Sequence, residues 1–141
     1  MNTLQASHVE DRSTPGRARA IEAIYAAGHH LLSQERPRDA AKVFRLMLKV
    51  APHDERGWLG LGQCHEKAMQ PHVACELYGA GSVVTANTGT ASVRCLLARA
   101  RILKALGRDP DDALQAADEV AYELDDEELI ALVSNERRRL S

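Results

Sequence analysis

The chain has 141 residues and a mass of 15.5 kDa, room for one domain and too little for two ordinary ones. Apolar residues at 45% and charged residues at 27% make a folded composition rather than a disordered one. Five aromatic side chains (Tyr25, Phe44, Trp58, Tyr78 and Tyr122) are too few for a base-stacking platform, and a net charge of -2 argues against a phosphate-binding surface, so no nucleic-acid partner is expected.

Met1 to Glu10 lacks a basic region followed by an apolar core, so a signal peptide is not expected. The cluster Asp11-Arg12-Ser13-Thr14-Pro15-Gly16 reads as a flexible N-terminal arm over residues 1–17, with Thr14 able to cap a helix that holds Pro15 in its first turn. From Ala18 the pattern is helical. Pro37 opens a second helix, Pro52 follows its end, and Pro71 opens a fourth. The one β-branched run is the short Val83-Val84-Thr85. Thr90 is the expected cap of a helix through Leu106, which Gly107 stops in a left-handed turn. Asp109-Pro110-Asp111-Asp112 signals a further start. A last helix begins at Asp125 or Asp126 and ends near Arg137, Arg138 and Arg139, cations suited to the negative helix end. No stretch is apolar for long enough to cross a membrane.

Two of the hairpins repeat. Trp58, Leu61 and Gly62 match the first part of the 34-residue tetratricopeptide pattern, with His65 where Tyr is usual, and Ala74 and Tyr78 match the second part. The same offset pairs Gly28 with Gly62, Ala40 with Ala74 and Phe44 with Tyr78. A looser third copy contains Leu96, Ala100, Leu103, Ala113 and Ala117 at offsets of 38 and 39, which implies a longer loop near Ala86–Ala91. The fold class is therefore all-α. Three tetratricopeptide-like hairpins (about 21–54, 55–88 and 93–124) stack into a short right-handed superhelix within a domain of residues 18–141, and a terminal helix, 126–139, caps it. Gly62 is expected where the two helices of its hairpin touch, and Gly60 on the outer face.

Chemistry is absent from the motifs. There is no Gly-rich phosphate loop, no H-E-x-x-H and no G-x-S-x-G, so neither an enzyme nor a cofactor is expected. Cys64-His65, His72 and Cys75 do not converge as metal ligands should, and core packing is the better reading. An odd count of three cysteines, completed by Cys95, points to reduced thiols in cytosol.

What such a stack offers is a concave surface lined by the first helix of each repeat. Its inward positions are Glu22, Tyr25, His29 and Leu32, then Arg56, Leu59, Gln63 and Glu66, then Arg94, Leu97, Arg101 and Lys104. From these, Tyr25, His29, Leu32, Leu59, Gln63, Leu97 and Arg101 form the expected peptide groove, with apolar pockets and a directed polar contact from Arg101. A second feature is charge asymmetry. Residues 1–70 carry a net +2 and residues 71–141 a net -4, with ten acids and no Lys or Arg between Asp109 and Glu128. That window is either a solvated helical face or a docking surface for a basic segment.

The segment Trp58-Leu59-Gly60-Leu61-Gly62-Gln63-Cys64, the Tyr78-Gly79-Ala80 that follows, and the upstream Asp39-Ala40-Ala41-Lys42-Val43-Phe44 resemble the class II chaperones of bacterial type III secretion. The resemblance spans roughly residues 20–124. It implies a cytosolic chaperone that binds translocator proteins, holds a short segment of them in the groove and keeps their hydrophobic segments soluble and secretion-competent. It also implies self-association through the N-terminal segment. Tyr25, His29, Leu32 and Leu59 fall on the family's groove positions, with His29 replacing a common aromatic. The longer Thr85–Ser92 loop is a further departure from the family. A generic repeat scaffold, or a chaperone of another secretion component such as the needle subunit, is the alternative.

Overall fold

The computed structural model describes residues 15–141; residues 1–14, with most of the expected arm and its proposed Thr14 cap, lie outside the described residues. Seven helices follow: α1 (Pro15–Ser33), α2 (Pro37–Val50), α3 (Glu55–Lys67), α4 (Pro71–Ala86), α5 (Val93–Ala105), α6 (Asp111–Glu123) and α7 (Glu127–Leu140). Pro15 opens α1, so residues 15–17, assigned to the arm on sequence, are helical. The proline signals at Pro37 and Pro71 fall in the first turns of α2 and α4, where no donor is lost. Val83-Val84-Thr85 continues α4 rather than forming a strand.

Capping is a matter of single side chains. Asp54 accepts from the Arg56 amide at α3 and Asp126 from the Leu129 amide at α7, each at 3.1 Å. At α5 the cap is Ser92, accepting from the Cys95 amide, in place of the expected Thr90. The reason is a second bond: the Ser92 amide donates to Thr85 Oγ1, which anchors the loop to the end of α4. Hairpin turns hold one left-handed residue each, at Glu35, Met69 and Gly107. The first two are the same position 34 residues apart, and Gly107 follows after 38.

Consecutive first helices pack on one another: α1 on α3, α3 on α5, and α5 on α7. No comparable packing joins α2 to α4 or α4 to α6. The tighter row draws the stack into a curve, concave on the side of α1, α3, α5 and α7.

Rings against glycine backbone hold the layers together. Phe44, 1% exposed, enters between α1 and α3, and a Cβ on Gly28 or Gly60 would stand 2.8 Å or 2.3 Å from its ring. Tyr78, fully buried, lies against Gly62 at 2.2 Å by the same measure. Gly60 is therefore not on an outer face. α3 is enclosed on both sides, and Gly60 and Gly62, two of its three glycines, admit the rings of α2 and α4. Ala98 and Ala100, both buried, occupy the matching positions of α5. The core divides into one cluster around Phe44, Met47 and Leu61 and a larger one around Tyr78, Leu96, Leu103 and Val133.

Overpacking a closed site of this kind costs about 1–3 kcal/mol. Gly60→Ala and Gly62→Ala are each expected to lower stability by that amount. Gly16→Ala, with open space around it on α1, should be neutral or stabilising by up to ~1 kcal/mol. Chemical denaturation of the three variants checks the ordering.

Candidate functional site: the concave groove

The inner face is organised by charged side chains that bridge successive first helices. Arg56 of α3 donates to both carboxylate oxygens of Glu22 on α1, at 3.0 and 2.7 Å, and to Asp54 at 3.0 and 2.8 Å. Its guanidinium stacks 4.5 Å from the centroid of the Tyr25 ring. Hydrogen bonds from Arg56 hold the carboxyls of Asp54 and Glu22 below their ordinary range. Arg94 of α5 reaches Glu55 at 3.4 Å, and Ser92 donates to the same carboxylate at 2.7 Å. Arg101 of α5 donates to Glu66 at 3.1 Å, and Glu66 also accepts from the Tyr78 hydroxyl. Burial, together with that bond to Glu66, pushes the Tyr78 hydroxyl well above its usual value, so it remains a donor.

The expected groove residues separate on this frame. Tyr25 is half-buried, with its ring 5.9 Å from the exposed His29 and 6.4 Å from Phe44. Leu59, Gln63, Leu97 and Arg101 come together around a cavity of about 250 Å³ whose walls also include Ala98, Leu132 and Glu136. Leu97 forms its floor and Gln63 is exposed at its edge. Leu32 is a correction: it is 6% exposed and packs with Ala40, Phe44 and Leu61, because it stands one turn beyond the buried Gly28, on the stripe of α1 that faces the first core cluster. Arg101, expected to offer a directed polar contact, is paired with Glu66.

Sequence reasoning missed the contribution of α7. Leu132 and Glu136 make it a fourth member of the inner row rather than a cap alone, since α7 packs on α5 as well as on α6. The apolar spacing of Leu129, Leu132 and Val133, at i, i+3 and i+4, was a legible signal for that face. Arg137 anchors the helix through Asp118 at 2.9 and 2.6 Å.

The cysteines belong to the packing. Cys64, Cys75 and Cys95 are free and buried, and burial pushes the Cys64 and Cys95 thiols up to about 11. His65 bonds through Nδ1 to Gln70 Oε1 at 2.7 Å, across the α3–α4 turn. Among the described residues no His, Cys, Asp and Glu group is arranged to hold a metal ion, and no helix is long and apolar enough to cross a membrane.

Asp54 both caps α3 and pairs with Arg56, so Asp54→Ala should lower stability by about 1–2 kcal/mol at neutral pH. Its folded carboxyl sits below the ordinary 3.8. The stabilisation is then complete above that value and is lost as pH falls through the lower folded one. Urea unfolding across that range should show the gap between parent and variant closing in acid.

No protein-family model matches the chain, and no curated protein matches it in sequence. Solved structures do. The Yersinia enterocolitica type III secretion translocator chaperone SycD is 25% identical, covering 84% of this chain and 87% of its own, with a TM-score of 0.69. The same chaperone in complex with a peptide of the translocator YopD is 25% identical over 86% of this chain and 92% of its own, with a TM-score of 0.66. PcrH from Pseudomonas aeruginosa shares the fold at 23% identity, over 86% of this chain and 92% of its own, with a TM-score of 0.69. The tetratricopeptide-like fold, and a quarter of the residues aligned with SycD, are those of the type III secretion translocator chaperones that the sequence motifs resemble.

Proposed function

We propose that the chain is a chaperone of a type III secretion system, acting in the bacterial cytoplasm, that holds translocator-type secreted proteins in its concave groove. The observation that carries this reading is the likeness to SycD, a translocator chaperone solved with a translocator peptide. Translocators contain membrane-destined apolar segments that aggregate in water. A partner that binds them shifts the population away from the aggregating state by mass action alone, without catalysis or a nucleotide.

The groove chemistry supports an extended, largely uncharged client segment. Tyr25 and Leu59, with Leu97 and Leu132 beside the latter, offer apolar contacts along the inner row. Arg56, Arg94 and Arg101 are each paired with a carboxylate. A client charge would have to compete with those pairs and lose its own hydration. Gln63, exposed at the rim, can meet the client backbone with its amide.

Co-expression with a translocator-type protein bearing hydrophobic segments, followed by pull-down, tests the reading. The client should co-purify and stay in the soluble fraction; a client that remains insoluble contradicts it. Truncating an anchor in such a groove costs about 2 kcal/mol, or about thirtyfold in affinity. Tyr25→Ala and Leu59→Ala should each show that loss by calorimetry with the client segment. Met69→Ala, 85% exposed in the α3–α4 turn, should show none. With apolar anchors dominating, raising salt from about 0.1 to about 0.5 M should change the dissociation constant by less than about threefold.

A further inference from the structure

The third repeat departs from the packing of the second at one position. At the offset of 38 that matches Gly60 with Ala98 and Gly62 with Ala100, Leu61 of α3 corresponds to Arg99 of α5. Leu61 is 4% exposed, inside the first core cluster. Arg99 is half-buried, and its guanidinium forms no ion pair or hydrogen bond among the described residues. It lies along Gly79 of α4, where a Cβ would stand 3.3 Å from its Nε and 3.5 Å from its Cδ. Two residues before Arg101, and so about 200° around α5 from it, Arg99 faces away from the inner groove. Five donors held at this depth without a protein partner are an unmet demand, and a leucine would pack there without it. The space that Arg99 enters is a cavity of about 470 Å³ beside α4. Arg108, exposed in the turn after α5, stands on the same wall, and its guanidinium is likewise unpaired among the described residues. His72 and Glu76 of α4 lie near them; Glu76 is the one carboxylate among the described residues of the wall, and it pairs with neither arginine. Further along α4 the wall becomes apolar at Ala80 and Val83.

We propose that this cleft receives an extended segment of a partner protein that carries one acidic side chain, with Arg99 and Arg108 taking its carboxylate. Two arginines less Glu76 leave one positive charge on the wall when His72 is neutral. A single carboxylate cancels that charge, whereas a run of acids or a phosphate dianion would overshoot it. The planar guanidinium forks suit a carboxylate in geometry as well as in charge. From His72 to Val83 the helix rises about 16 Å, the length of about five residues of extended chain. Gly79, beside Arg99, and Val83 are about one turn apart, roughly 6 Å, which is the spacing of residues i and i+2 on one face of such a chain. The segment therefore carries an apolar residue two positions from its acid, one over Ala80 and Val83 and the other over Arg99. The site lies apart from the inner groove and does not rest on the client reading of that groove.

Nuclear magnetic resonance of the full-length chain, titrated with the end-capped peptide Leu-Gly-Glu-Gly-Leu, tests the proposal through the arginine Nε–H signals. The leucines on both sides of the acid serve either direction of the segment. The signals of Arg99 and Arg108 should shift and saturate. The same peptide with glutamine for glutamate should bind about tenfold more weakly or worse, the factor carried by hydrogen bonds to a charged group. Arg108→Ala, at an exposed position, and Arg99→Leu should each show the same loss. Arg99→Leu restores the residue of the second repeat, so its melting temperature should equal or exceed the parent's, which a purely structural Arg99 would not allow. Glu76→Gln should tighten binding. Shifts confined to the inner face, or binding indifferent to the glutamate, to Arg99 or to Arg108, overturn the proposal. So does an Arg99→Leu variant that melts below the parent, or a Glu76→Gln variant that binds no better. Inorganic phosphate that displaces the peptide at equal concentration also overturns it, making the cleft a small-anion site.

Discussion

The rings of Phe44 and Tyr78 lie against glycine backbone as well as against apolar side chains, and the spacing of the layers follows from the backbone contact. Where Gly28, Gly60 and Gly62 lack a Cβ, an aromatic ring from the second helix of a hairpin reaches the helical backbone itself. The large residue fills the gap between neighbouring hairpins while the small one lets the helices close. Phe44 joins α1, α2 and α3 in one contact, so the first and second repeats share a core instead of merely abutting. In the third repeat alanines replace the glycines at Ala98 and Ala100, and the offset of the repeat lengthens with the Asn87–Ala91 loop.

That spacing sets the inner row at a distance which arginine and glutamate can bridge. Glu22–Arg56, Glu55–Arg94 and Glu66–Arg101 each span two successive first helices. Exposed pairs contribute little to stability individually, with a median below about 1 kcal/mol. Their larger consequence is for recognition. Cations already satisfied by carboxylates leave the apolar side chains of the groove as the groups with most to gain from a partner. Tyr78 ties this network to the core: its ring lies against Gly62, while its hydroxyl donates to the Glu66 that also takes Arg101.

Helix starts and stops were legible because their causes are local. Pro37, Pro71, Gly107 and Asp126 act through their own backbone and the next turn, and each stands where its chemistry places it. The repeat was legible for a related reason, since a 34-residue offset preserves the contact between Gly62 and Tyr78. Gly60 was not. It lies two residues, or about 200° around the helix, from Gly62, and a rule that buries one face leaves the opposite one to solvent. Only the neighbouring hairpin buries both. Leu32 misled in the same way, because it shares the stripe of Gly28, one turn on, which the neighbouring helices bury. Thr90 lost to Ser92 through a loop contact with Thr85, a tertiary bond that no local pattern records. The groove role of Leu132 and Glu136 depends on α7 packing against α5, which sequence order alone does not announce.

Hydrogen–deuterium exchange of the chain, alone and with a translocator client segment bound, measures the central claim most directly. Protection should increase along the inner row, in α1 around Tyr25, in α3 around Leu59, in α5 around Leu97 and in α7 around Leu132, with α2 and α6 unchanged. Added protection confined to the outer helices, with the inner row exchanging as in the free chain, would contradict the account of the groove as the client site.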